Sequence, residues 1–148
     1  MSKPVVISVS GSHGGAGKTC LVERLLPCLP NCAAVKARTG KGAELSVLVE
    51  DDPAQAAGKD TGRYLAAGAR RAYLIGGPGD EVRAAVREII EGGEFDAVIV
   101  ESNAMARELE SDLAFFVRGA GEPKPGADVC EERADICVCD ISKPRREH

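Results

Sequence analysis

The stretch Ser10-Gly11-Ser12-His13-Gly14-Gly15-Ala16-Gly17-Lys18-Thr19 decides how this chain is read. It has the order of a phosphate-binding loop, or P-loop. Closely spaced glycines turn backbone N–H groups toward an anion, a lysine reaches the β- and γ-phosphates of a nucleotide, and a hydroxyl reaches Mg²⁺. Lys18 and Thr19 are placed for the last two tasks. A helix opening at Gly17 would add its positive end to the same anion. The spacing GxxxxGK[ST] puts its first glycine at Ser12, with Gly11 one residue early. The variant KGGxGK[ST] fits better and departs only at His13, where it has lysine. His13, Gly14, Gly15, Ala16, Gly17, Lys18, Thr19 and Cys20 are therefore the expected nucleotide-binding residues. In the variant the lysine at the His13 position contacts phosphate, and a polyanion would favour a protonated histidine there. A solvent-facing loop residue is the alternative.

The flanks agree with the loop. Residues 4–10 form an apolar, β-branched run, as a buried parallel strand does. Leu21, Val22, Leu25, Leu26 and Leu29 follow at helical spacing, and Pro27 and Pro30 close that run. Further along, strands are expected at 33–37, 45–50, 72–75, 97–101, 113–117 and 136–139, after a first one at 5–10. Helices are expected at 18–29, 61–67, 80–91, 104–110 and 128–133, with Asp80 as an N-cap behind Gly76-Gly77-Pro78-Gly79. Residues 38–44, 51–60 and 119–126 read as irregular. This alternation predicts an α/β fold of P-loop NTPase type, with a mostly parallel sheet, helices on both faces and three layers. Ligands of such sheets lie beyond the carboxyl ends of the strands.

The chain has 148 residues and reads as a single domain over 1–148, with a polar, flexible tail from about 143. It has no tryptophan, three Phe and two Tyr, so Ala, Val, Ile and Leu must build the core. A net charge of −4 is mild and gives no argument for nucleic acid or membrane binding, and neither is expected as a partner. No apolar run approaches the ~20 residues that span a bilayer. Met1-Ser2-Lys3-Pro4 leads straight into a strand with no signal-peptide pattern, so a cytoplasmic location is expected.

A second chemical element is the apolar strand that ends at Glu101. P-loop proteins hold Mg²⁺ with such an acid beside the loop hydroxyl. Lys18 and Glu101 are the expected catalytic pair. Thr19, Glu101 and Asp51 are the expected Mg²⁺ residues, Asp51 because it follows another apolar strand. For Asp51, as for the similar acids Asp52 and Asp60, a solvated turn is an equal reading. The six cysteines lack paired CxxC spacing. Cys20, Cys28 and Cys32 near the first helix, and Cys130, Cys137 and Cys139 near the end, read as packed thiols, with a metal site as the alternative. No Asn-Lys-x-Asp fixes the base, although Arg118, Asp140 and Lys143 fall near strand ends. No arginine is evidently placed as a finger on the phosphates.

The segment Gly58-Lys59-Asp60-Thr61-Gly62-Arg63-Tyr64-Leu65-Ala66-Ala67-Gly68-Ala69 resembles the GKDSxRxxxAGA element of the molybdopterin-guanine dinucleotide biosynthesis adapter (MobB) family. The order of P-loop, GKD[ST]…AGA and strand ending in Val-Glu is similar to that family over residues 4–103. The resemblance implies a GTP-binding P-loop protein, usually dimeric, with weak hydrolysis and a protein partner in molybdenum cofactor maturation. Gly15, Gly17, Lys18 and Thr19 would bind phosphate, and Glu101 would match the family's acid. ATP remains open. Two departures mark the chain as divergent. Lys36 is followed by Ala37-Arg38-Thr39 where the family has Lys-His, and Val100-Glu101 by Ser102-Asn103-Ala104 where the family has Gly-[Phe/Tyr]-Lys. Two other functions fit a P-loop: a small-molecule ligase or kinase of dethiobiotin-synthetase type, and a non-hydrolysing nucleotide switch. The short connections leave little chain for the substrate pocket the first of these needs.

Overall fold

In the computed structural model, residues 3–13, 17–40, 42, 44–56 and 58–139 are described. Gly14, Gly15 and Ala16 of the loop, and Asp140 and the tail from 141, lie outside them. The elements run β1 (Val5–Gly11), α1 (Lys18–Leu25), β2 (Cys32–Thr39), β3 (Ser46–Glu50), α2 (Lys59–Ala66), β4 (Arg71–Gly77), α3 (Gly79–Glu91), β5 (Ala97–Glu101), α4 (Asn103–Glu108), β6 (Leu113–Arg118), α5 (Ala127–Arg133) and β7 (Ile136–Cys139). The seven strands form one sheet in the order β3-β4-β2-β5-β1-β6-β7. All neighbours are parallel except β3, which runs antiparallel to β4.

The strand sequences explain the layering. β1 and β5 sit mid-sheet and are buried nearly throughout, which is why they read as continuous apolar runs. Side chains alternate across the sheet. Ile7, Val9 and Ile99 face one layer, where Leu21 and Val22 of α1 and Tyr64 and Leu65 of α2 cover them. Val35, Ile75, Val98 and Val100 face the other, under Val82 and Val86 of α3 and Met105 of α4. Phe116, Ala106, Ala127 and Cys130 join α4 and α5 to the same side. The result is a three-layer α/β arrangement with helices on both faces.

Several expectations are corrected in detail. The first helix ends at Leu25 and tightens into a 3₁₀ turn over Leu26–Cys28, because Pro27 cannot continue the α-helical hydrogen bonding. The N-cap of α3 is Pro78, and Asp80 lies with Glu81 in the first turn, where their charges complement the helix dipole. The region 51–60 holds a 3₁₀ turn at Pro53–Gln55, whose first N–H groups Asp52 caps through its Oδ1, 2.9 Å from the Ala54 N. Cys137 and Cys139 are exposed, because β7 is an edge strand with little packed over it. Among the described residues, no helix is long and apolar enough to cross a membrane.

Candidate functional site

The site lies at the carboxyl ends of β1, β5 and β2. Strand alternation settles which side chains meet there. Glu101 follows Ile99 on the face covered by α1 and α2, and it stands in register with Val9 of β1 and Lys36 of β2. α1 starts at Lys18, directly after the loop, so Thr19 arrives above Glu101. Thr19 Oγ1 donates to Glu101 Oε1 at 3.0 Å, with Oε2 at 3.4 Å. Tyr64 of α2, wholly buried, donates its hydroxyl to the same Oε1 at 2.5 Å. Lys36 Nζ stands 3.4 Å from Glu101 Oε2 and 2.8 Å from Asp60 Oδ2. Glu101 is only 3% exposed, so these partners supply what solvent does not.

Glycines bring the backbone close. Gly17 caps α1 at φ 95°, in the left-handed region that costs other residues steric strain. Gly11 lies under the stem of Lys18. A Cβ there would sit 3.0 Å from both Lys18 Cγ and Cδ, and 3.1 Å from the Val117 carbonyl. Lys18 is thus folded back over the end of β1. Its burial pushes its ammonium below the ordinary lysine value. Glu101 opposes that shift, whereas the like charges of Lys124 and Lys36 add to it. Asn103, at the start of α4, fastens the loop's first residue from the other side. Its Oδ1 accepts from Gly11 N at 2.9 Å and its Nδ2 donates to Gly11 O at 2.8 Å.

These groups open into a cleft of about 680 Å³ lined by Gly17, Lys18, Thr19, Cys20 and Glu101 of the expected residues, and also by Asn103. Six cations line it: Lys18, Lys36, Arg38, Arg63, Arg107 and Lys124. Lys36 is paired as described, and Arg63 pairs with Glu23 and reaches Cys20 Sγ at 3.6 Å. Lys18, Arg38, Arg107 and Lys124 form no ion pair among the described residues. In a chain of net charge −4, such a concentration of free positive charge is suited to a polyanion.

Lys18, Thr19, Cys20, Gly17 and Glu101 are therefore brought together. His13 and Asp51 are not. His13 turns toward residues 119–121: its Nδ1 is 2.6 Å from Ser12 Oγ, and a Cβ on Gly121 would lie 3.5 Å from its Nε2. That Nε2 is buried with no hydrogen-bond partner among the described residues. Asp51 is exposed beyond Glu50, which pairs with Ala72 at the start of β4. β3 is antiparallel, so its carboxyl end points away from the cleft. Arg118, expected near a base, instead pairs with Glu131 and is exposed.

Sequence reasoning missed Lys36, Tyr64, Arg63, Arg107 and Lys124. Lys36 had a visible signal, a lysine directly after Val35 inside an apolar strand, on an inward-facing phase. Tyr64 had one too, as it falls one turn from Thr61 and Asp60. Arg107 and Lys124 carry no local signal and meet the cleft through tertiary packing. A threonine hydroxyl and one buried carboxylate within 3.0 Å of each other are hard oxygen donors of the kind Mg²⁺ takes, with phosphates and water completing the shell. Among the described residues, no group of three or more His, Cys, Asp or Glu side chains gathers as a protein-only metal site.

Fold and site together define an α/β protein with a cationic cleft at the carboxyl edge of a mostly parallel sheet. No family model, curated protein or solved structure matches the chain.

Proposed function

We propose that the chain is a P-loop protein that binds a nucleoside triphosphate with Mg²⁺, GTP before ATP, and acts as a weakly hydrolysing adapter. The observation that carries the nucleotide reading is the meeting of Lys18 and Thr19, at the start of the helix that follows β1, with Glu101 at the end of the adjacent strand β5, in one cleft amid an excess of cations. Lys18 binds the β- and γ-phosphates, and Arg38, Arg107 and Lys124 hold the remaining negative charge. Thr19 and Glu101 hold Mg²⁺, whose chemistry is to neutralise and orient the phosphates. Asn103 fixes the loop's entry at Gly11.

Slow hydrolysis follows from the same residues. Among the described residues Glu101 is the only acid lining the cleft, and it is engaged by Thr19 and Tyr64 and assigned to Mg²⁺. It is not free to orient an attacking water. The GTP preference, the dimer and the role beside an enzyme that attaches GMP to molybdopterin rest on the similarity of the Gly58-Lys59-Asp60-Thr61 segment to the adapter family. Asp60 and Tyr64 of that segment both touch the site through Lys36 and Glu101, which supports a functional role for it.

A ligase or kinase of dethiobiotin-synthetase type keeps one observation in its favour. The cleft is large, and three cations beyond Lys18 lack carboxylate partners among the described residues, which suits an anionic second substrate. Calorimetric titration with GTP and ATP, with and without Mg²⁺, tests the binding. Phosphate release measured with the protein alone separates the classes. The adapter reading expects release far below the ~1–100 s⁻¹ of kinases, and brisk turnover on adding a small acid contradicts it.

A further inference from the structure

Glu101 is the acid this cleft offers to a divalent cation, and a lysine already stands on it. Lys36 and Glu101 occupy paired positions on neighbouring parallel strands, so the sheet register itself delivers the ammonium to the carboxylate. Lys36 Nζ lies 3.4 Å from Glu101 Oε2, on the side of the carboxylate away from the Tyr64 hydroxyl, which takes Oε1. Asp60 at the start of α2 holds the same ammonium at 2.8 Å. Lys36 is 16% exposed and Glu101 3%, so the pair meets largely out of water, where charges act on one another strongly.

A divalent cation bound to Glu101 would sit a few ångströms from that ammonium, and the two would repel. Without Lys36, the same place offers two carboxylates and two hydroxyls, those of Asp60, Glu101, Thr19 and Tyr64. This is an oxygen set that a hard cation favours. Lys36 has somewhere to go, because Asp60 can keep it while Glu101 is released, and an arriving phosphate would draw it away. We propose that Lys36 is a tethered counter-cation that bars Glu101 from binding a divalent metal alone and makes metal binding conditional on nucleotide. The inference deepens the nucleotide reading and rests on it.

The test uses the whole chain and Mn²⁺ alone, with no nucleotide, followed by the electron paramagnetic resonance signal of free Mn²⁺. Lys36→Met should bind one Mn²⁺ at least tenfold more tightly than wild type, a gain that a merely structural lysine would not give. Lys36→Met combined with Glu101→Gln should return to the wild-type level. The proposal is overturned if Lys36→Met binds Mn²⁺ no better than wild type, or if the gain survives loss of the Glu101 charge. Should Lys36→Met fail to fold, Lys36→Gln keeps a neutral chain of similar reach and takes the same titration. Because the titration contains no nucleotide, its outcome is separate from failure of the nucleotide reading, which shows as a wild type that takes up neither GTP nor ATP.

Discussion

At the scale of single residues, the cleft sets binding against stability. Lys18 is held charged in a half-buried place that disfavours its charge. Its proton is bound less tightly in the folded chain than in the unfolded one, so stability rises with pH through the window between the lowered value and the ordinary one. Without nucleotide, Lys18→Met should therefore melt higher than wild type at neutral pH. The gap should close as pH climbs toward the ordinary lysine value. A gap that widens with pH would contradict the assignment. Thiols give a second readout. Burial pushes Cys32 up to about 11, and only thiolate reacts. A thiol reagent near neutral pH should label exposed Cys28, Cys137 and Cys139 quickly, and Cys32 and Cys130 only on unfolding. Cys20, in the cleft wall, should be labelled in the free protein and shielded by nucleotide.

At the scale of elements, the loop depends on what surrounds it. Asn103 makes two hydrogen bonds to Gly11 and contacts the cleft without being a phosphate ligand in this account. Asn103→Ala should weaken nucleotide binding several-fold by loosening the loop's entry, and should cost about 1–3 kcal/mol of stability for the groups left without partners. Unchanged affinity in a titration would remove Asn103 from the site. This is also the scale at which the sequence was most readable. β1, β5 and α1 were visible because a mid-sheet strand must be apolar on both faces and a covering helix must be apolar on one. Glu101 was visible because an acid at the end of such a run has few structural reasons to be there. The antiparallel course of β3 was not visible. Its residues Val47 and Val49 look like a buried strand, yet at the sheet edge they are 46% and 50% exposed. The placing of His13 beside residues 119–121 was not legible either, since the bond from Gly119 N to Ser12 Oγ joins residues far apart in the chain.

At the scale of the whole molecule, the charge distribution is the main fact. A chain of net charge −4 gathers six cations in one cleft, with four of them free of carboxylates among the described residues. That arrangement costs self-repulsion unless an anion relieves it. Added nucleotide should accordingly raise the melting temperature in proportion to the logarithm of its concentration. The proposed homodimer is checked by sedimentation, where a species of twice 15.5 kDa is expected. A monomer at all concentrations would count against the adapter role and leave nucleotide binding untouched.

Isothermal titration of wild type and Lys18→Ala with GTP and Mg²⁺ asks directly whether this cleft binds nucleotide through its glycine loop. One site is expected in wild type. In the folded variant a loss of about 1.5–3 kcal/mol is expected, the scale of a hydrogen bond to a charged group. This is a weakening of roughly ten- to more than a hundredfold. No heat from either GTP or ATP in wild type, or equal affinity in wild type and Lys18→Ala, would contradict binding through the loop.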